Sequence, residues 1–91
     1  MTERTTVVIA EDSVLLRDGL VRLLELADFE VLAAAPDADA FLAAVDEHRP
    51  DLVLVDVRMP PTFTSEGIRA ALVVREQHPD TAVMVLSQYV E

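Results

Sequence analysis

The run Leu52-Val53-Leu54-Val55-Asp56, introduced by Pro50-Asp51, sets four apolar residues in a row and ends on a carboxylate. A strand with one wet face alternates apolar and polar residues, whereas a strand covered on both faces stays apolar throughout. An interior strand with helices on either side is therefore expected here. Upstream, Ala38, Phe41, Leu42 and Val45 recur at helical spacing behind Pro36-Asp37, whose carboxylate suits a helix N-cap, and this helix closes near His48. Before it, Glu30 to Ala35 reads as a strand. Ser13 to Ala27 reads as a helix with Leu16, Leu20, Leu23, Leu24 and Ala27 as its core stripe, and Thr6 to Ala10 as the first strand. Downstream, Met59 to Ser65 is rich in Pro, Thr and Ser and is expected to be the mobile loop. Ile68, Ala71, Leu72 and Arg75 mark a third helix, which Pro79 stops, and Ala82 to Ser87 is a fourth strand. The motifs His48-Arg49-Pro50-Asp51 and His78-Pro79-Asp80 each close a helix just before an apolar run. Strands alternating with helices in this way predict parallel βαβ units and a doubly wound α/β sheet.

The 91 residues suit one domain with one modest core, and 52% hydrophobic with 26% charged residues is the balance of a chain that folds. Seventeen acidic residues against seven basic ones give a formal charge of -10, a field that repels phosphate backbones and anionic lipid heads. Direct nucleic-acid binding and membrane association are therefore not expected of this segment. With no cysteine, no disulfide framework or thiol nucleophile is available. The apolar runs are far shorter than the roughly twenty residues of a membrane helix, and Met1-Thr2-Glu3-Arg4 does not open a signal peptide. A cytoplasmic protein is the expectation.

In an open parallel α/β sheet, ligands bind outside the carboxyl ends of the strands where the winding reverses. Glu11 and Asp12 follow the first strand and Asp56 ends the third. Neighbouring strands lie about 4.8 Å apart, so these carboxylates can converge. Two carboxylates about 4 Å apart repel by roughly 4 kcal/mol at an effective dielectric near 20, a large share of a small domain's stability. A hard dication with oxygen ligands offsets that repulsion. Mg²⁺, which takes one or two carboxylates and keeps several waters, fits better than Ca²⁺.

Each residue also has a plainer role. Glu11-Asp12 alone is more often a helix N-terminus with Asp12 as the cap, and a lone Asp56 after a strand is more often a turn former. Ser87 by itself is as well explained as a strand-end hydroxyl as a ligand. His48 and His78 suit helix ends. What shifts the balance is that Glu11-Asp12, Asp56 and Ser87 all fall at one strand-end site.

The acidic pair Glu11-Asp12, the turn Asp56-Val57-Arg58-Met59-Pro60, Gly67 opening a helix, and Ser87 closing the fourth strand resemble the receiver domains of bacterial two-component response regulators. The stretches Met59 to Thr64 and Leu86 to Glu91 are similar to the subgroup that carries a LuxR-type (NarL-like) helix-turn-helix. The resemblance implies a flavodoxin-like sheet in the order 2-1-3-4-5, the order of a chemotaxis receiver of that family. It implies Asp56 as acceptor of a phosphoryl group from a sensor histidine kinase, and Ser87 as the switch hydroxyl. It implies Mg²⁺ held by Asp12, Asp56 and the backbone carbonyl of Arg58, with Glu11 acting mainly through water. The chain is then a phosphoacceptor with at most slow autophosphatase activity, not an enzyme.

Receivers of this kind go on to a fifth strand that supplies a lysine and an aromatic switch residue. This sequence ends at Glu91, contains no lysine, and places Tyr89 too near Ser87 to substitute. Residues 1–91 are thus expected to be a C-terminally incomplete receiver lacking strand five and its flanking helices. Its fourth strand is expected to become an apolar edge through which copies pair or exchange elements. A haloacid-dehalogenase-type phosphatase needs a second Asp where Arg58 stands, and a flavin or nucleotide binder needs a phosphate-cradling loop where Glu11-Asp12-Ser13 repels phosphate. The stronger alternative is a non-phosphorylated receiver-like interaction or dimerisation module.

Overall fold

The computed structural model describes residues 4–57 and 66–86. These form β1 (Thr6–Ala10), α1 (Val14–Leu26), β2 (Glu30–Ala35), α2 (Ala38–His48), β3 (Leu52–Asp56), α3 (Glu66–Gln77) and β4 (Ala82–Leu86). All pairings are parallel, in the order β2-β1-β3-β4. From β1 the chain crosses to β2 on one side, then returns past β1 to β3 on the other. The winding therefore reverses between β1 and β3, and their carboxyl ends flank the reversal.

The two central strands carry the core on both faces, as their unbroken apolar runs require. Val8, Ala10, Val53 and Val55 pack with Phe41 and Val45 of α2 and Ala70 and Val74 of α3. Val7, Ile9 and Leu54 point the other way and meet Leu20, Val21 and Leu24 of α1. Full burial of a side chain such as Phe41 or Ile9, neither of which retains any exposure, stabilises the fold by about 1.5–3 kcal/mol. α2 begins as its sequence directs, with Asp37 Oδ1 accepting the Ala40 amide at 2.8 Å.

Two helix faces differ from expectation. In α1, Leu23 is 65% exposed and Ala27 is also exposed, while Val21 takes the inward place. Leu23 and Leu24 are about 100° apart around the helix axis, so only one of them can face the sheet. In α3 the buried residues are Gly67, Ala70, Ala71 and Val74, whereas Ile68 and Leu72 are 45% and 59% exposed. At its start the inward face of α3 is made of the small residues Gly67, Ala70 and Ala71 because the helix lies close to the end of β3 there. Val74 is buried one turn further on, and Ile68 and Leu72 turn outward.

β4 is the outermost strand among the described residues and is described as far as Leu86. Its Met84 and Val85 are 54% and 44% exposed. No helix among the described residues is long and apolar enough to cross a membrane.

Candidate functional site

The register of the central strands sets Ala10 against Val55, so the residues that follow, Glu11 and Asp56, emerge side by side. Carboxylate oxygens of Glu11, Asp12 and Asp56 all lie within 4.8 Å of one another, the one such acidic cluster among the described residues. Glu11 and Asp56 are buried, at 1% and 4% exposure, and Asp12 is half-buried at the mouth.

Local hydrogen bonds fix this turn. The Glu11 amide donates to the Ala35 carbonyl at 2.9 Å, which extends the β1–β2 ladder by one residue. The Glu11 carbonyl accepts Arg17 Nη1 at 2.9 Å, and Glu11 Oε2 accepts the Ser13 amide at 3.0 Å. Ser13, not Asp12, caps α1, its hydroxyl accepting the Leu16 amide at 3.3 Å. A hydroxyl one residue further on does the capping, so the Asp12 carboxylate joins the cluster. Sequence reasoning missed both Ser13 and Arg17. Ser13 carried a legible signal, since serine is a preferred N-cap immediately before an apolar helix. Arg17 carried none, because its role depends on a return contact from the second turn of α1 to the backbone before it.

The electrostatics are those of crowded acids in a dry place. Burial pushes the Glu11 carboxyl up to about 7, the Ser13 amide opposes the rise, and the neighbouring Asp12 and Asp56 carboxyls reinforce it. Carboxylates held this close together repel one another. A small dication offsets that repulsion, and the all-oxygen, closely spaced donor set suits a hard cation.

The far side of Asp56 is also tightly held. Asp56 pairs with Leu86 in the β3–β4 register, and the next amide, Val57, donates to the Leu86 carbonyl at 3.0 Å. The Val57 carbonyl accepts the Gly67 amide at 3.1 Å, which brings the first turn of α3 onto the end of β3. Of the residues singled out in the sequence, Glu11, Asp12 and Asp56 come together. Arg58, Ser87, Tyr89 and the loop Met59 to Ser65 lie outside the described residues. His48 sits at the end of α2, and His78 follows α3 and contacts Asp46 at 2.8 Å, both away from the cluster.

A family model for the response regulator receiver domain matches residues 7–91. The oxygen regulatory protein NreC of Staphylococcus haemolyticus is 34% identical over 84 residues, which are 91% of this chain and 38% of that protein. The signal receiver domain of the response regulator NarL from Mycobacterium tuberculosis superposes with a TM-score of 0.86 at 35% identity, covering 99% of this chain and 71% of the other. A DNA-binding response regulator of the LuxR family from Staphylococcus aureus gives a TM-score of 0.83 at 28% identity, over 96% of this chain and 71% of that one. The chain therefore spans 38% of the length of its NreC relative. With the sheet order, the strand-end acidic cluster and the family match in agreement, the chain belongs to the response-regulator receiver family, in its LuxR/NarL subgroup.

Proposed function

We propose that this chain accepts a phosphoryl group on Asp56 from the phosphohistidine of a sensor kinase in the cytoplasm, and that the new charge switches an output. Receiver domains are in general phosphoacceptors rather than enzymes, bind Mg²⁺ through acidic residues and are phosphorylated by sensor histidine kinases. The observation that carries the assignment is the Asp56 carboxylate, at the end of an interior strand and within 4.8 Å of two further carboxylates. A carboxylate oxygen of Asp56 attacks phosphorus, the phosphorus–nitrogen bond of the donor breaks, and the imidazole leaves carrying that electron pair and takes up a proton. Asp12, Asp56 and the Arg58 carbonyl would hold Mg²⁺, with Glu11 acting through water. A bound Mg²⁺ neutralises charge on the transferred oxygens. The Ser87 hydroxyl donates to a phosphoryl oxygen, and its displacement shifts a two-state surface beyond β4. Slow hydrolysis of the acyl phosphate returns the chain to its resting state.

The parent protein would be a LuxR-type DNA-binding transcription regulator, since one structural relative is described as such. The test of the phosphoacceptor is intact-mass spectrometry after incubation with a small phosphodonor and Mg²⁺. Wild type gains an acid-labile phosphoryl group and Asp56→Asn does not, and label persisting in that variant would show that another residue is the acceptor. A second reading is a non-phosphorylated receiver-like interaction or dimerisation module, in which the receiver scaffold serves as a docking surface. A chain that gains no mass with or without Mg²⁺ would support it. Under either reading we infer that copies self-associate through β4 or by exchanging elements.

A further inference from the structure

The two glycines of the chain are both helical, and a side chain would fare very differently at each. A Cβ built on Gly19 in α1 meets nothing within 4 Å. A Cβ built on Gly67 falls 1.8 Å from the carbonyl oxygen of Asp56, 2.8 Å from its carbonyl carbon and 2.8 Å from Val57 Cα. All three obstacles are backbone, so no rotamer change relieves them, and α3 must move away from β3 by more than an ångström to admit even a methyl group. Gly67 also donates its amide to the Val57 carbonyl at 3.1 Å, while the Val57 amide is held by Leu86 at 3.0 Å. The peptide that links Asp56 to Val57 is thus gripped by β4 on one side and pressed by α3 on the other.

We propose that Gly67 is a positioning residue for the Asp56 carboxylate: the missing side chain lets α3 lock the Asp56–Val57 peptide, and that lock aims the carboxylate at Glu11 and Asp12. This rests on the reading of Asp56 as phosphoacceptor. Displacing the peptide rotates the Cα–Cβ bond of Asp56, and a misplacement of about 1 Å costs on the order of a hundredfold in rate. Gly67 touches no reacting atom and acts through Asp56 alone.

The experiment measures Asp56 phosphorylation by acetyl phosphate with Mg²⁺ for wild type, Gly67→Ala, Gly19→Ala and Val74→Ala, with circular dichroism and melts on each. Val74 is fully buried in α3 about two turns beyond Gly67, so its truncation loosens the packing of the helix while leaving Gly67 itself unchanged. Gly67→Ala is expected to stay folded and label about a hundredfold more slowly. Gly19→Ala and Val74→Ala are expected to label at the wild-type rate while folded. Wild-type labelling by Gly67→Ala, or an equal loss in Val74→Ala, would overturn the proposal. If Gly67→Ala does not fold, or wild type takes no label and the phosphoacceptor reading itself fails, selective ¹⁵N-glycine labelling still decides. It gives two amide resonances, and titration with Mg²⁺ alone should shift Gly67 and leave Gly19 in place. An unmoved Gly67 resonance would overturn the proposal.

Discussion

Thr6 and Asp51 lock the amino ends of β1 and β3 together by a reciprocal set of hydrogen bonds. Asp51 Oδ2 accepts both the amide and the hydroxyl of Thr6 at 3.0 Å, and Thr6 Oγ1 accepts the Asp51 amide at 2.9 Å. This clasp lies at the opposite end of the sheet from the acidic cluster, and it fixes the strand register that sets Glu11 beside Asp56.

The Thr6 amide, and then the Thr6 hydroxyl, hold the Asp51 carboxyl below its ordinary range. A carboxyl depressed in the folded state contributes stability that is present above its unfolded pKa and lost as pH falls through the folded one. Asp51→Asn removes the charge but keeps an acceptor. Wild type is therefore expected to melt above Asp51→Asn at neutral pH, and the gap is expected to close as pH falls below about 4. A gap that stayed constant down to pH 2 would show that the charge contributes nothing.

The second prediction concerns the cation. A ligand bound only by the native state raises stability by mass action, about 1.4 kcal/mol at tenfold excess over Kd. In a domain of this size that is a rise in Tm of roughly 6–11 °C. Millimolar Mg²⁺ is expected to raise the melting temperature relative to chelator, and Asp12→Ala to abolish most of the rise. Coincident wild-type melts with and without Mg²⁺ would show that the three carboxylates do not bind the ion.

A third prediction comes from the end of α2, where Arg49 is the C-cap with φ 47° and ψ 62° and donates its amide to the Val45 carbonyl at 2.8 Å. Glycine holds this left-handed conformation without the Cβ clash that arginine pays. Arg49→Gly is expected to raise stability by about 1 kcal/mol, read as a higher urea midpoint with an unchanged slope. A lower midpoint would mean that the arginine side chain makes a contact worth more than the strain.

The sequence made the strands of this fold legible because the runs around Ile9 and Leu54 are apolar on both faces and bounded by turn residues. The strand bounds of β1, β2 and β3 coincide with those read from the residues. Helix phase was harder. In α1 six leucines leave two overlapping stripes at three- and four-residue spacing, so periodicity alone could not choose between Leu23 and Val21. In α3 the apolar stripe placed Ala71 correctly but also pointed to Ile68 and Leu72, whereas proximity to β3 selected Gly67 and Ala70 beside it, a requirement that arises only once helix and sheet are packed. The acidic cluster was legible because strand ends are where such a sheet gathers chemistry. The Arg17 contact to the Glu11 carbonyl and the Gly67 lock were not, since both depend on three-dimensional return contacts.

The last prediction concerns β4, whose only strand neighbour among the described residues is β3. Neither a charge nor a proline interrupts Ala82–Leu86, and Met84 and Val85 stand 54% and 44% exposed on opposite faces of the strand. Among the described residues no strand covers the outer side of β4, and an apolar strand edge is a template for pairing with another chain. Symmetric closed dimers are the commonest result of such pairing. Light scattering at micromolar concentration is expected to give roughly twice the 10.0 kDa mass of one chain. Val85→Lys puts a charge on this edge, and a lysine carried into a strand–strand contact must be desolvated without a partner. That variant is expected to return to the mass of a single chain while keeping its circular dichroism spectrum. A wild-type chain that is monodisperse at 10.0 kDa would rule out β4 as a self-pairing edge, and a Val85→Lys dimer would move the contact to another surface.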